Sequence, residues 1–205
     1  MQKNNTYDHK DVEIKKREVT HGGFCQLVNY RLRFRRFDGT WSEEIDRELY
    51  QRPNSSAMLL YDPHQDKVVL IEQFRPGALN YPGSPWLLEI PAGIMEDDEN
   101  ALGLAIRETK EETGLHITDT VFICDFFPSP GGLGEHAHLY CGRVNANEAS
   151  GIHGLAHEHE DIKIHVFTYR KVCQLLNKGE IKNAFTIIAL QWLRLNKHKL
   201  KKLWL

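Results

Sequence analysis

Between Gly93 and Leu115 the chain reads GIMEDDENALGLAIRETKEETGL, and no other stretch constrains the fold as tightly. Placed on a helix at 100° per residue, Leu102, Ala105, Ile106, Thr109 and Thr113 share one apolar arc. Glu108, Glu111 and Glu112 fall together on its flank, because spacings of three and four bring side chains to one face. Like charges so placed destabilise a bare helix by roughly 0.2–0.5 kcal/mol per pair. A solvated face of good helix formers is the plain alternative. The crowding also suits a hard divalent cation, Mg²⁺ or Mn²⁺, bound through carboxylate oxygens.

The full spacing goes further. Gly93, Glu99, Arg107, Glu108, Glu111, Glu112 and Gly114 occupy every fixed position of the pattern G-x5-E-x7-R-E-U-x-E-E-x-G-U, with U aliphatic. Leu115 fits the last aliphatic slot, and Thr109 departs from the first, on the buried arc where the change bears on packing. The stretch resembles the Nudix signature. That resemblance implies an α/β (α+β) fold, the Nudix α/β/α sandwich, for roughly residues 55–205. It implies metal ligands at Glu108, Glu111, Glu112 and the Ala92 carbonyl, with Gly93 allowing a tight turn. Arg107 would hold a glutamate through its planar fork.

Composition excludes several classes. A formal net charge of −2 gives no electrostatic case for nucleic acid or an anionic membrane. No apolar run approaches the ~20 residues of a membrane-spanning helix, and the polar opening MQKNNTYDHKDVEIKK carries no signal-peptide core. Cys25, Cys124, Cys141 and Cys173 are far apart without a CxxC, which reads as reduced thiols. A cytoplasmic protein is expected.

In chain order, residues 1–10 read as a frayed polar tail. Three β-like stretches follow: VEIKKREV, FCQLVNYRLRF and TWSEEIDRELY, the last two forming a hairpin about Phe37-Asp38-Gly39. This block is too small for a core of its own and should lean on its own chain or a second copy. Residues 52–56 look like a boundary, giving a small N-terminal β-strand domain over 1–54 and a second domain over 55–205. SAMLLY and KVVLIEQF, around a DPHQD turn, read as buried strands. PGALNYPGSP is a loop, and WLLEIPAG a strand leading to the carboxylate helix. HITDTVFICDFF, HAHLYCGRV and DIKIHVFTY are three further strands. Helices are predicted at Lys171–Lys178 and Asn183–Leu195, and the basic tail KHKLKKLWL as a docked C-terminal helix.

A hydrolase also needs a base within reach of the attacking water. HGLAHEHEDI supplies a second acidic cluster, Glu158, Glu160 and Asp161, that composition alone leaves as a solvated loop. His157 and His159 lack the further ligands a zinc site would need. Beyond the helix the marks EQFR (72–75), WLLE (86–89), SPGG (129–132), ASGIHGLA (149–156) and ALQWL (189–193) extend the likeness, with Pro130 sixteen residues after Gly114. Over most of its length the chain resembles the ADP-ribose pyrophosphatases of bacteria. The resemblance implies Glu158 as general base and Glu160 as a holder of metal and water. It further implies that Phe24 stacks on the adenine, that Arg47 and Arg75 face the diphosphate, and that Glu135 bonds the terminal ribose. A homodimer with exchanged N-terminal strands is implied as well. The expected reaction is Mg²⁺-dependent hydrolysis of ADP-ribose to AMP and ribose 5-phosphate. Another nucleoside diphosphate sugar, such as GDP-mannose or ADP-glucose, and a non-catalytic ADP-ribose-sensing domain are the alternatives.

Overall fold

The computed structural model describes residues 7–96 and 98–205. Residues 1–6 of the expected tail, and Asp97 before the carboxylate helix, lie outside the described residues. The chain forms two compact units, one of residues 1–53 with 127–135 and one of 54–126 with 136–205.

In the first unit, β1 (Val12–Gly22), β2 (Gln26–Phe34) and β3 (Ile45–Gln51) form an antiparallel meander. The third stretch becomes a strand only from Ile45; before it, Trp41 makes an isolated bridge to Arg35, and the Arg33 and Arg35 guanidinium groups cover its ring. Among residues 7–10 the expected fraying is not seen. Asp8 and Asp11 close a capping box around a short 3-10 turn, His9–Asp11. Val28 is fully buried, whereas β1 exposes Ile14 (59%) and Val19 (43%). Far along the chain, Leu133–Gly134 returns as a short strand parallel to β3, with Tyr50 opposite Leu133.

The second unit is built on β4 (Ser55–Asp62), whose eight residues are all buried. A strand covered on both faces reads as a continuous apolar run. Alternation then sends Ala57, Leu59 and Tyr61 to one face, and Met58 and Leu60 to the other. β5 (Lys67–Phe74) pairs antiparallel with β4 after the DPHQD turn. The predicted strand WLLEIPAG is broken at Ile90-Pro91 into β6 (Trp86–Glu89), beside β5, and β7 (Ala92–Ile94), beside β4. Proline cannot donate to a ladder, so the chain changes partner there. α1 (Ala101–Thr113) follows, and β8 (Asp119–Phe126) leads out of it. Counting Leu133–Gly134 as β9, β10 (Ala137–Arg143) lies antiparallel to β8 and parallel to β4. Next come β11 (Ile152–His153) and β12 (Ile162–Thr168), the latter on the far side of β5. The mixed sheet runs β11-β12-β5-β4-β10-β8.

Two helices complete the unit. α2 covers Tyr169–Asn177, two residues earlier than predicted, because the Thr168 hydroxyl caps Lys171 N–H. α3 runs unbroken from Ala184 to Trp204, so the basic tail is the end of this helix and not a separate one. Its Leu190, Leu193, Leu200 and Trp204 pack with α2 against the Leu59–Tyr61 face, each such burial contributing about 1.5–3 kcal/mol. Lys197 fixes its far half to Asp66 at 2.9 Å and lies over the Tyr169 ring. α1 covers the opposite face, against Met58 and Leu60. This is the α/β sandwich expected, with no helix long and apolar enough to cross a membrane among the described residues.

Candidate active site

α1 begins at Asn100, whose side chain accepts Gly103 N–H, and ends at Gly114 in the left-handed region (φ 69°). A Cβ at Gly114 would also meet the His153 ring at 2.9 Å. The buried stripe of α1 is Leu104, Ala105, Thr109, Glu112 and Thr113. The predicted arc is therefore rotated: Ile106 is 41% exposed and Leu104 takes the core position. Thr109 is fully buried, and its hydroxyl bonds back to the Ala105 carbonyl at 2.7 Å, which lets a polar residue occupy an aliphatic slot.

That rotation carries Glu112 into the protein. It is 1% exposed and accepts the Ala92 N–H at 3.1 Å. Burial drives its carboxyl well above the usual range, and the neighbouring Glu108 and Glu160 carboxylates add to the effect. Glu108 is pushed up to about 7, first by burial, then against Arg107 by repulsion from Glu111, Glu160 and Glu158. Gly93 makes this packing possible. It lies within β7 and not in a turn, and a Cβ there would collide with the Glu108 carboxylate. The glycine is required for close approach, not for a tight turn.

Arg107 gathers the remaining acids. Its guanidinium group binds Glu99 through Nε and Nη2 at 3.0 and 3.2 Å, Glu111 at 2.7 Å and Glu108 at 3.1 Å. Glu99, the signature's first acid, is held below its ordinary range by Arg107 and thereby orients the fork.

Arg75 is the second cation. Its Nε and Nη2 converge on Glu89 Oε2 at 3.0 and 2.8 Å. Glu89 is 2% exposed, and its other oxygen accepts Asn183 Nδ2 at 3.1 Å from the start of α3. Glu112 and Glu160 also hold the Arg75 charge in place, although desolvation opposes it. Glu89 was visible as one charge in the apolar run WLLEIP, yet the spacing assigned it no part. Its partners lie just past the end of β5 and at the cap of α3.

The acidic loop divides into unlike members. Glu160 accepts Leu155 N–H at 3.1 Å and packs where a Cβ on Gly154 would collide with it. Glu158 ends a short 3-10 turn with its side chain 55% exposed, beside His157 at 3.6 Å. Both stand near enough to Glu108 to raise it. The second unit thus brings together Arg75, Ala92, Arg107, Glu108, Glu111, Glu112, Glu158 and Glu160. Phe24, Arg47 and Glu135 belong to the first unit. Phe24 is 81% exposed in the β1–β2 turn, and Arg47 is exposed on β3. Glu135 is 3% exposed and paired with Arg52 at 3.1 Å.

Clustered oxygens with too little positive charge beside them are what a divalent cation neutralises. The buried Glu112 and the raised Glu108 therefore fit such an ion.

The chain is similar to known proteins along most of its length. The NUDIX domain family profile matches residues 51–202. The Escherichia coli (strain K12) protein named ADP-ribose pyrophosphatase is 44% identical over 199 residues, covering 97% of this chain and 95% of its own. A Haemophilus influenzae protein of the same name is 39% identical over 201 residues, covering 97% and 93%. A Cronobacter sakazakii GDP-mannose pyrophosphatase is 31% identical over 190 residues, covering 90% and 96%. A crystal structure described as an ADP compounds hydrolase superposes with a TM-score of 0.69 at 19% identity, over 95% of this chain and 98% of that one. With the signature glycine, the arginine fork and the buried carboxylates all in place, the chain belongs to the Nudix family.

Proposed function

We propose that the protein hydrolyses the pyrophosphate bond of ADP-ribose to AMP and ribose 5-phosphate, with Mg²⁺ as the working ion. The observation that carries the chemistry is the buried, charge-poor cluster of Glu108 and Glu112 beside Glu160. The substrate rests on likeness to the Escherichia coli and Haemophilus influenzae enzymes.

Glu108, Glu111, Glu112, Glu160 and the Ala92 carbonyl would hold the metal. When bound, it offsets charge developing on the phosphates and acidifies water. Arg107 keeps Glu111 and Glu108 in one orientation through its fork. Glu158, with more than half of its side chain exposed, takes the proton as the water oxygen attacks phosphorus and the bridging P–O bond breaks. Glu160, anchored by Leu155 N–H, keeps the loop in register. Arg75, fixed by Glu89, presents its guanidinium group to the diphosphate. Phe24, open to solvent, stacks on adenine. Arg47 meets the diphosphate, and Glu135 takes the terminal ribose with its carboxylate set by Arg52.

Residues 1–54 serve as a dimerisation domain. The working form is a cytoplasmic homodimer with exchanged N-terminal strands, a reading supported by the exposed Ile14 and Val19 on β1 and by free thiols at Cys25, Cys124, Cys141 and Cys173.

The test compares kcat/KM for ADP-ribose and GDP-mannose in Mg²⁺, with products identified chromatographically. Preference for ADP-ribose with AMP and ribose 5-phosphate formed is expected. A clear preference for GDP-mannose transfers the chain to that second class, which the Cronobacter relative makes a specific competitor.

A further inference from the structure

On the α1 face of the sheet, outside the carboxylate cluster, Asp125, His136 and His138 present ligand atoms that all lie within 4.8 Å of one another. Their convergence follows from register. Asp125 of β8 stands directly opposite His138 of β10, and His136 lies two residues before His138 on the same side. The two imidazole rings meet edge to face with centroids 4.8 Å apart, and His136 Nε2 is 3.2 Å from Asp125 Oδ2.

An ion pair between His136 and Asp125 accounts for only part of this arrangement. His138 Nδ1 is withdrawn from solvent with no hydrogen-bond partner. Its register neighbour on β4, Ser56, is fully buried and its hydroxyl also lacks a partner. Leaving a buried polar atom unsatisfied costs about 1–3 kcal/mol, and two side by side on one face call for a ligand.

We propose that Asp125, His136 and His138 form a second cation site, taking a borderline divalent transition ion of the Zn²⁺ class. Two imidazoles and a carboxylate are a common donor set for such an ion, at about 2.0–2.2 Å per bond, with a fourth position left to water. The 3.2 Å between His136 and Asp125 already suits two ligands of one tetrahedral ion. Separations of up to 4.8 Å close by small side-chain rotations, for which the 53% exposed Asp125 and the partly exposed imidazoles have room. Ser56 Oγ offers an acceptor to ligand-bound water, the second-shell contact such sites use.

The site is distinct from the carboxylate cluster. Asp125, His138, Ser56 and Gly93 form one row across β8, β10, β4 and β7. His138 is thus two strand spacings, about 10 Å, from the glycine against which Glu108 packs. Mixed nitrogen and oxygen donors select against Mg²⁺, whereas the all-oxygen cluster favours it.

The experiment titrates the chelator-treated full-length protein with Co²⁺ in excess Mg²⁺, following visible d–d absorption, and then displaces Co²⁺ with Zn²⁺ in a calorimeter. One equivalent should bind to the wild type and to Glu112→Gln. In His138→Ala the affinity should drop at least ~10-fold, the lower end of what even second-shell losses cost. Asp125→Asn, at a half-exposed carboxylate, should do the same and keeps the test decisive if the histidine variant does not fold. Equal binding by wild type and a His136→Ala/His138→Ala double variant, no binding in Mg²⁺, or loss on Glu112→Gln would each overturn the proposal. None of these outcomes depends on which nucleotide the protein hydrolyses.

Discussion

Replacing Glu108 by glutamine should make the metal-free protein more stable above pH 7 while disabling its chemistry. Glu108 is pushed up to about 7 in the fold, from an ordinary 4.5. A carboxyl raised on folding binds its proton more tightly in the native state. Its favourable contribution is therefore complete below pH 4.5 and lost as the pH rises through about 7. At about 1.4 kcal/mol per pH unit, the ceiling on that loss is about 3.5 kcal/mol, and screening reduces it to about 1–2 kcal/mol. Glutamine keeps the volume and removes the charge, at the cost of a 3.1 Å contact to a part-exposed Arg107 worth about 0.5 kcal/mol. The net gain is about 0.5–1.5 kcal/mol, or roughly 1–6 °C in Tm for a chain of this size. The assay is urea and thermal unfolding after chelator dialysis, at pH 5 and pH 8. The variant should exceed wild type at pH 8 and converge with it at pH 5. Mg²⁺ should reverse the order, since an ion at 100 times its Kd adds about 2.7 kcal/mol to the form that binds it. A variant no more stable than wild type at pH 8, or equally ahead at pH 5, refutes the argument.

Glu112→Gln should lower kcat by about 10²–10³-fold with an unchanged circular dichroism spectrum, and near-normal Mg²⁺-dependent turnover would remove it from the ligand set. Glu158→Gln should reduce kcat by about 10²–10⁴-fold with little change in KM; an effect confined to KM would show that Glu158 is not the base. Gly93→Ala places a methyl group onto Glu108 and should cost about 1–3 kcal/mol in urea unfolding together with most activity, so a silent substitution contradicts the packing described. Glu89→Ala strips Arg75 of its anchor: a KM rise and a loss of about 1–3 kcal/mol are expected, and steady-state kinetics with denaturation curves test both.

Local periodicity made the carboxylate helix readable, because its glutamates, its arginine and its terminating glycine all lie within 23 residues of chain. Its rotation was less readable. Leu102 and Leu104 are equally apolar, and only the sheet beneath decides that Leu104 faces inward and carries Glu112 with it. Non-local pairings left little trace. The parallel registry of β4 with β10, and the return of residues 127–135 to the first unit, join segments some eighty residues apart. Glu89 was hidden for the same reason: a lone acid in an apolar strand carries meaning only once Arg75 and Asn183 stand on either side. The split of WLLEIPAG at Pro91 could have been anticipated from the missing N–H. Asp125, His136 and His138 form no pattern in the sequence, because strand pairing, not spacing, brings the aspartate to the histidines.

The tie from Glu89 to Asn183 also sets a timetable. These partners are 94 residues apart, and ribosomes add about 5–20 residues per second. A nascent chain therefore waits roughly 5–20 s between making Glu89 and making the asparagine that caps α3 and steadies it. During that interval Arg75 can be synthesised and even paired, yet the carboxylate that aims it has one flank open. Arg75 therefore acquires its final bearing only when α3 docks, well after the carboxylate helix has been made.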